Sequence, residues 1–274
     1  MAFARLGAMA WGKAGQGRNV PETSMNDAAE QALTKVPAVT LGFWIIKILA
    51  TTFGETAGDT VSMSLGWGYL AGSGLFAMLL ALLVAAQIGV RRFHPWLYWV
   101  TIIASTTVGT TMSDFATRSM GIGYPGGSVV LLGLVLVSLL IWWRDMGSIN
   151  VSTVHRPRVE IYYWLTITFS QTLGTALGDW IADGSLGYLG AAVVFGSLLA
   201  ITALAYFRNW ASHVALFWIA FILTRPLGAV VGDFLDKPVA NGGLALGRAA
   251  ASAVLFLAIA TLVLALPQRA GRRH

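Results

Sequence analysis

Four of the chain's 12 carboxylic acids occupy the same place in a repeated block. The blocks are WIIKILATTFGETAGD (44–59), WVTIIASTTVGTTMSD (99–114), WLTITFSQTLGTALGD (164–179) and WIAFILTRPLGAVVGD (218–233). Each reads Trp, nine residues, Gly, three residues, Gly or Ser, then Asp. Asp59, Asp114, Asp179 and Asp233 therefore align, and Glu55 adds a carboxylate one helical turn before the first of them. Hydroxyl and amide side chains lie just before the first Gly of three blocks: Thr51 and Thr52, Thr106 and Thr107, Gln171 and Thr172. Arg225 and Pro226 stand there in the fourth, and Pro226 is expected to kink or break its helix. Carboxylate and hydroxyl oxygens suit hard cations such as Mg²⁺, Mn²⁺ or Ca²⁺, or protons. The expected ligand set is Glu55, Asp59, Asp114, Asp179 and Asp233, as a ring or paired cluster with Glu55 beneath. Lys47 and Arg225 are the bases expected to neutralise these acids when no cation is bound. The chain has no Cys, and its four His lie in or beside polar segments, which argues against a site for Zn²⁺ or Cu⁺.

The same blocks have a plainer use. Gly54/Gly58, Gly109/Ser113, Gly174/Gly178 and Gly228/Gly232 form small-x3-small faces, which let helices pack closely in lipid. The Asp residues are then helix-end groups bonded to the following turn. Lys47 is a snorkelling cation, and Trp44, Trp99, Trp164 and Trp218 are anchors at the inner membrane interface. Asp183 and Asp236, just beyond the blocks, read as solvated or entrance-lining.

The elements that must carry these residues are membrane helices. Charged residues make up 11% of the 274, mean hydropathy is +0.70 and 56% of residues are hydrophobic, whereas a soluble domain is about 25% charged. Apolar runs long enough to span a bilayer lie near 40–63, 69–90, 95–118, 124–143, 160–182, 187–207, 213–235 and 244–266. With the N-terminus in the cytoplasm, 13 of the 18 Lys and Arg fall on that side, a strong positive-inside bias. Arg118 and Lys237 are assigned to loop ends opposite, and Lys47, Arg225 and Arg248 to spans or their edges. The net charge of +6 is thus read as topology rather than nucleic-acid binding.

Each block and the apolar run after it make a two-helix hairpin. An even number of helices per repeat sends all four repeats into the membrane in the same sense. The expected fold is an all-α polytopic membrane protein: eight transmembrane helices as four parallel two-helix repeats with pseudo-symmetry about the membrane normal. Its segments are a cytoplasmic tail (1–35, in which 21–35 form a short helix), repeats 1 and 2 (36–147), a basic linker (148–158), repeats 3 and 4 (159–266) and a basic cytoplasmic tail (267–274). No signal peptide is expected.

The chain resembles bacterial multipass membrane proteins built from four copies of a "repeat of unknown function". The resemblance covers roughly residues 35–266. It rests on the four Gly-x3-[Gly/Ser]-Asp blocks and on KVPAVTLGFWIIKILATTFGETAGD at 35–59. It implies a four-repeat integral membrane protein and supplies no activity. From the residues, the expected function is a transporter or channel for a hard cation, divalent or proton-coupled, in a bacterial inner membrane with both termini cytoplasmic. The alternatives are an anion or small organic-solute transporter using Lys47 and Arg225, and a structural membrane protein. No enzymatic role and no cofactor are expected. The partners are the lipid bilayer, a small inorganic cation and a second copy of the chain in a homo-oligomer, with no nucleic acid.

Overall fold

The computed structural model describes residues 33–272. A strand β1 (Leu33–Pro37) leads into helices α1 (Leu41–Asp59), α2 (Gly68–Gly89), α3 (Pro95–Asp114), α4 (Gly123–Met146), α5 (Pro157–Ile181), α6 (Gly187–Phe207), α7 (His213–Asp236) and α8 (Arg248–Ala265), and a strand β2 (Ala270–Arg272) ends the described chain. The motif helices start where the chain supplies caps. Thr40 Oγ1 accepts from Phe43 N at the head of α1. His94 accepts from Leu97 N at α3, which has Pro95 in its first turn, and Pro157 opens α5. Proline is tolerated there because those first N–H groups have no helical partner.

Helices α1, α3, α5 and α7 carry the four blocks and pack as a closed ring, α1 on α3, α3 on α5, α5 on α7 and α7 on α1. The other helices lie outside. Helix α2 packs on α3, α4 on α5, α6 on α7, and α8 returns to α1. The second helix of each repeat thus covers the motif helix of the next. Glycines make the ring this tight. A Cβ at Gly54 would collide with Thr106, at Gly109 with Gln171, at Gly174 with Arg225 and at Gly228 with Thr51. Each intruder sits three residues before its own block's first Gly, so one contact recurs four times. Gly58, Gly178 and Gly232 likewise receive Thr110, Ala229 and Glu55. The packing expected of Gly54, Gly58, Gly109, Gly174, Gly178, Gly228 and Gly232 is what these residues do. Ser113 is fully buried in the same helix face.

Among the described residues, five helical stretches are long and apolar enough to cross a membrane: α2, α4, the run Pro157–Phe207, α7 and α8. That is the character of a membrane protein, and large apolar side chains such as Leu82, Val129, Leu189 and Leu264 stand exposed on the outer helices. The expectation of eight separate spans holds only in this coarser form. Helices α5 and α6 run together through a π-helical turn, Ala182–Leu186, in which only Gly184 leaves helical geometry. Helices α1 and α3 fall outside the five because Thr, Lys and carboxylate side chains interrupt their apolar character. Similar π turns, Thr60–Ser64 and Phe115–Ser119, follow Asp59 and Asp114.

Several expectations need correcting at the Trp end of the ring. The segments read as tails are folded where they are described: β1 and β2 pair antiparallel, with Leu33 opposite Arg272 and Pro37 opposite Ala270. Residues 33–35 are thus strand rather than helix, and the rest of the 21–35 expectation lies outside the described residues. Lys35 is buried, its Nζ 2.6 Å from Glu160 Oε1 and within hydrogen-bond distance of the Gln87 and Ile88 carbonyls. The basic linker is also packed, for Ile149 O accepts from Trp218 Nε1 and Val154 O from Lys35 N. Three of the motif tryptophans are not surface anchors. Trp99, Trp164 and Trp218 are buried in an aromatic core with Phe43, Tyr98, Trp142 and Tyr163, because their indoles find partners inside the fold, Trp99 Nε1 donating to Gln268 Oε1.

Candidate functional site: a carboxylate ring closed at one end

Helical register turns the four blocks into layers across the ring. Nearest the Trp end, Lys47, Ile102, Ile167 and Phe221 share one position, seven residues before the first Gly, and none is exposed. One turn on lie Thr51, Thr106, Gln171 and Arg225, also fully buried. The next layer holds Glu55, Thr110, Thr175 and Ala229, and the next Asp59, Asp114, Asp179 and Asp233. The ring is therefore largely apolar, Lys47 aside, in its first layer alone and polar in most positions of the three that follow. Ile102, Ile167 and Phe221 of the first layer belong to the aromatic core at the Trp end.

Lys47 does not snorkel. It is wholly buried, with Nζ 3.4 Å from Thr224 Oγ1 and 4.0 Å over the Phe221 ring, a cation–π contact. It sits two turns short of Glu55, which belongs instead to Arg225. Arg225 Nη2 lies 2.8 Å from Glu55 Oε2 and donates also to Thr110 and Thr175. Helix α7 runs unbroken through Pro226, contrary to the expected break. The Pro226 ring faces Gly174 and Gly178, whose missing side chains give it room.

The hydroxyls divide by face. Thr51 donates to Thr224 O and Thr106 to Ala50 O, tying neighbouring motif helices together. Thr52, Thr107 and Thr172 instead donate to carbonyls four residues back on their own helices, Ile48, Ile103 and Thr168. Thr51 and Thr106 make local bonds as well, to Ile48 O and Ile103 O, so what sets them apart is the second bond to the neighbouring motif helix. Thr107 lines an apolar side groove of about 370 Å³ with Phe53, Phe76 and Ile103, away from the ring axis. Gln171 does face the ring, against Gly109, and both its amide atoms are buried without a hydrogen-bond partner.

The acids do not form one symmetric ring of ligands. Glu55, Asp59 and Asp233 come together, each offering an oxygen within 4.8 Å of the others. Asp114 and Asp179 are drawn off by Arg118, whose Nε lies 3.2 Å from Asp114 Oδ1 and Nη2 3.0 Å from Asp179 Oδ2. Of the expected ligand set, three converge and two are clamped by a guanidinium.

A family described as Repeat of Unknown Function (DUF347) matches the chain four times, over residues 42–93, 97–147, 162–210 and 216–269. The chain belongs to this family. No curated protein and no solved structure matches it.

Each DUF347 repeat thus supplies one motif helix and one outer helix, and the repeats differ most in charged residues. Arg118 and Lys237 stand at the loop ends, as expected, but turn back onto the acids. Each stands four residues after its own Asp, in the second and fourth repeats only. Lys237 Nζ lies 3.1 Å from Asp233 Oδ1 and 3.2 Å from Asp59 Oδ2. Burial opposes that ammonium's charge, but Asp233, Asp59 and Asp236 outweigh it, and Lys237 is held above the ordinary lysine range. Asp236 is buried rather than solvated, because Arg248 Nε lies 3.0 Å from it and 3.5 Å from Asp59. Asp183 accepts from the Tyr124 hydroxyl at the exposed rim.

Arg248 has counterparts. Gly68, Gly123, Gly187 and Gly247, all with left-handed φ, precede Tyr69, Tyr124, Tyr188 and Arg248 at the heads of the outer helices. The turn needs that backbone conformation, which glycine adopts without a Cβ penalty. It sets three tyrosines and one arginine around the carboxylate end. The spacing Asp-x3-Arg or Asp-x3-Lys, which places both charges on one helix face, and the recurring Gly-Tyr were the available signals for these residues.

Proposed function

We propose that the protein is an integral membrane transporter for a hard cation, divalent or proton-coupled, whose binding centre is Glu55, Asp59 and Asp233. In this reading eight helices span the bilayer of a bacterial inner membrane as four parallel repeats related about the membrane normal. The basic Trp end then faces the cytoplasm. The observation that carries it is the convergence of three buried carboxylates from the first and fourth repeats. Ionisable groups within a membrane are costly and by default mark a pathway, and an all-oxygen set matches Mg²⁺, Mn²⁺ or Ca²⁺ rather than softer metals. The aromatic core that packs the first layer at the Trp end favours a carrier loaded from the Asp end over an open channel.

The anion reading draws little support, since Arg225 is engaged by Glu55 and two hydroxyls and Lys47 is enclosed. A structural role draws more, because every motif Asp has a basic neighbour. Cation uptake into proteoliposomes separates the two. Glu55→Gln and Asp59→Asn are expected to abolish Mn²⁺ or Mg²⁺ flux while the protein stays folded. Flux equal to wild type in both variants rejects the transport reading.

A further inference from the structure

The two bases that follow their own Asp by four residues hold acids in different ways. Arg118 spans two carboxylates with two separate nitrogens, Nε to Asp114 and Nη2 to Asp179. A planar fork of this kind is a fixed clamp. Lys237 meets Asp233 and Asp59 with the single Nζ, a point charge on a flexible four-carbon stem. Beneath Arg118 the next layer of the second and third repeats offers Thr110 and Thr175. Beneath Lys237 the same layer offers Glu55, so only this side provides three carboxylates. Asp59 Oδ1 is buried there without a hydrogen-bond partner.

The backbone under Lys237 is fixed by the turn, and its side chain is held by the two carboxylates through Nζ. Its N–H donates to Asp233 O, its carbonyl accepts from Ala245 N, and the carbonyl packs against Gly243. The side chain remains 14% exposed at the rim. Arg248, the other base on Asp59, is tied to Asp236, Ser64 and Met63 as well. Of the two, Lys237 can leave the carboxylates by rotating its own stem alone.

The geometry points to Lys237 as a tethered cation that occupies the Asp59–Asp233 side of the carboxylate centre and must swing aside for a hard divalent cation to bind. This rests on the cation reading above and adds to it a resident competitor that sets the affinity. A divalent cation prevails over the ammonium because it brings two charges where Lys237 brings one, to a centre in which Glu55 stays paired with Arg225 and Asp59 with Arg248. A monovalent cation gains no charge by the exchange.

The test is titration of the purified full-length protein in lipid nanodiscs with Mn²⁺ and with Mg²⁺ alone, followed by calorimetry. Lys237→Gln should tighten binding about tenfold or more, in line with the coupling of close charge pairs. Lys237→Arg, which replaces the point charge with a fork, should weaken it. Arg158→Gln, which removes an equally positive group from the linker, should match wild type. A purely structural lysine would not move affinity in opposite directions in the two variants. If wild type binds and Lys237→Gln binds equally or more weakly, the tethered-cation role is overturned and the cation centre stands. If neither binds at any concentration, both fall. Should Lys237→Gln fail to fold, Lys237→Arg still decides: unchanged or tighter binding overturns the proposal.

Discussion

Arg225 is the least expected side chain in the protein: a guanidinium fully buried in a ring of membrane-type helices, placed where the other repeats carry Thr or Gln. Its position is intelligible because Glu55, unique to the first repeat, stands one layer away on the adjacent motif helix. Truncating one partner of a buried ion pair leaves the other charge uncompensated, at a cost of about 3–5 kcal/mol. Arg225→Met is therefore expected to lower the unfolding midpoint in detergent sharply, and adding Glu55→Gln should recover much of the loss. A double variant as unstable as the sum of the single ones would show that the two side chains are not coupled. At this scale the sequence was partly legible. It showed that Glu55 and Arg225 were exceptional, but charge sidedness sent Arg118 and Lys237 to opposite-side loop ends. A rule that counts bases per loop overlooks that a base four residues after an acid lies on the same helix face, Arg118 in the π turn after α3 and Lys237 at the end of α7. It also had Lys47 snorkelling, whereas Phe221 gives the ammonium a ring to rest on.

At the scale of elements, the glycines of the ring decide how near the motif helices come. A Cβ at Gly109 would lie 2.8 Å from the Gln171 carbonyl carbon and 3.0 Å from Thr172 N. Backbone atoms cannot rotate away as a side chain can. Gly109→Ala is expected to destabilise by about 1–3 kcal/mol through overpacking. Gly133, on the outer helix α4, has nothing within 4 Å of the added atom. There alanine should be neutral or stabilise by up to about 1 kcal/mol through helix propensity. Thermal unfolding of the two variants side by side checks the difference, and equal effects would mean that the ring contact is loose. The repeat itself was fully legible, since spacing alone aligned the four blocks. Which helix packs on which was not, because a hairpin in sequence suggests partners in space. Here the outer helix instead covers the following repeat.

At the scale of the whole molecule, the absence of cysteine makes sidedness directly measurable. Single cysteines introduced at Ser148, in the linker, and at Gly242, in the loop after α7, should react with a membrane-impermeant maleimide from opposite faces, Ser148 from the cytoplasmic one. Labelling of both from one face would overturn the parallel arrangement of repeats. The positive-inside pattern supplied this expectation, and the β1–β2 ribbon explains why the two ends of the described chain lie together. Neither strand was foreseeable from hydropathy, because LTKVP and AGR are too short and mixed to show an alternating pattern and pair only where the fold brings them together.

The return of α8 to α1 bears on how the protein is made. Helix α1 leaves the ribosome first among the described helices, yet its neighbours α7 and α8 are the last two of them synthesised. The counter-charges of Glu55 and Asp59 (Arg225, Lys237 and Arg248) all come late in the chain. Throughout translation α1 therefore waits with bare carboxylates and an enclosed lysine not yet enclosed, a segment that lipid accepts poorly. A nascent chain cut short before α7 retains that defect permanently. Chains that end before α7 lack each of these counter-charges, and the carboxylates of α1 are paired only when the ring shuts.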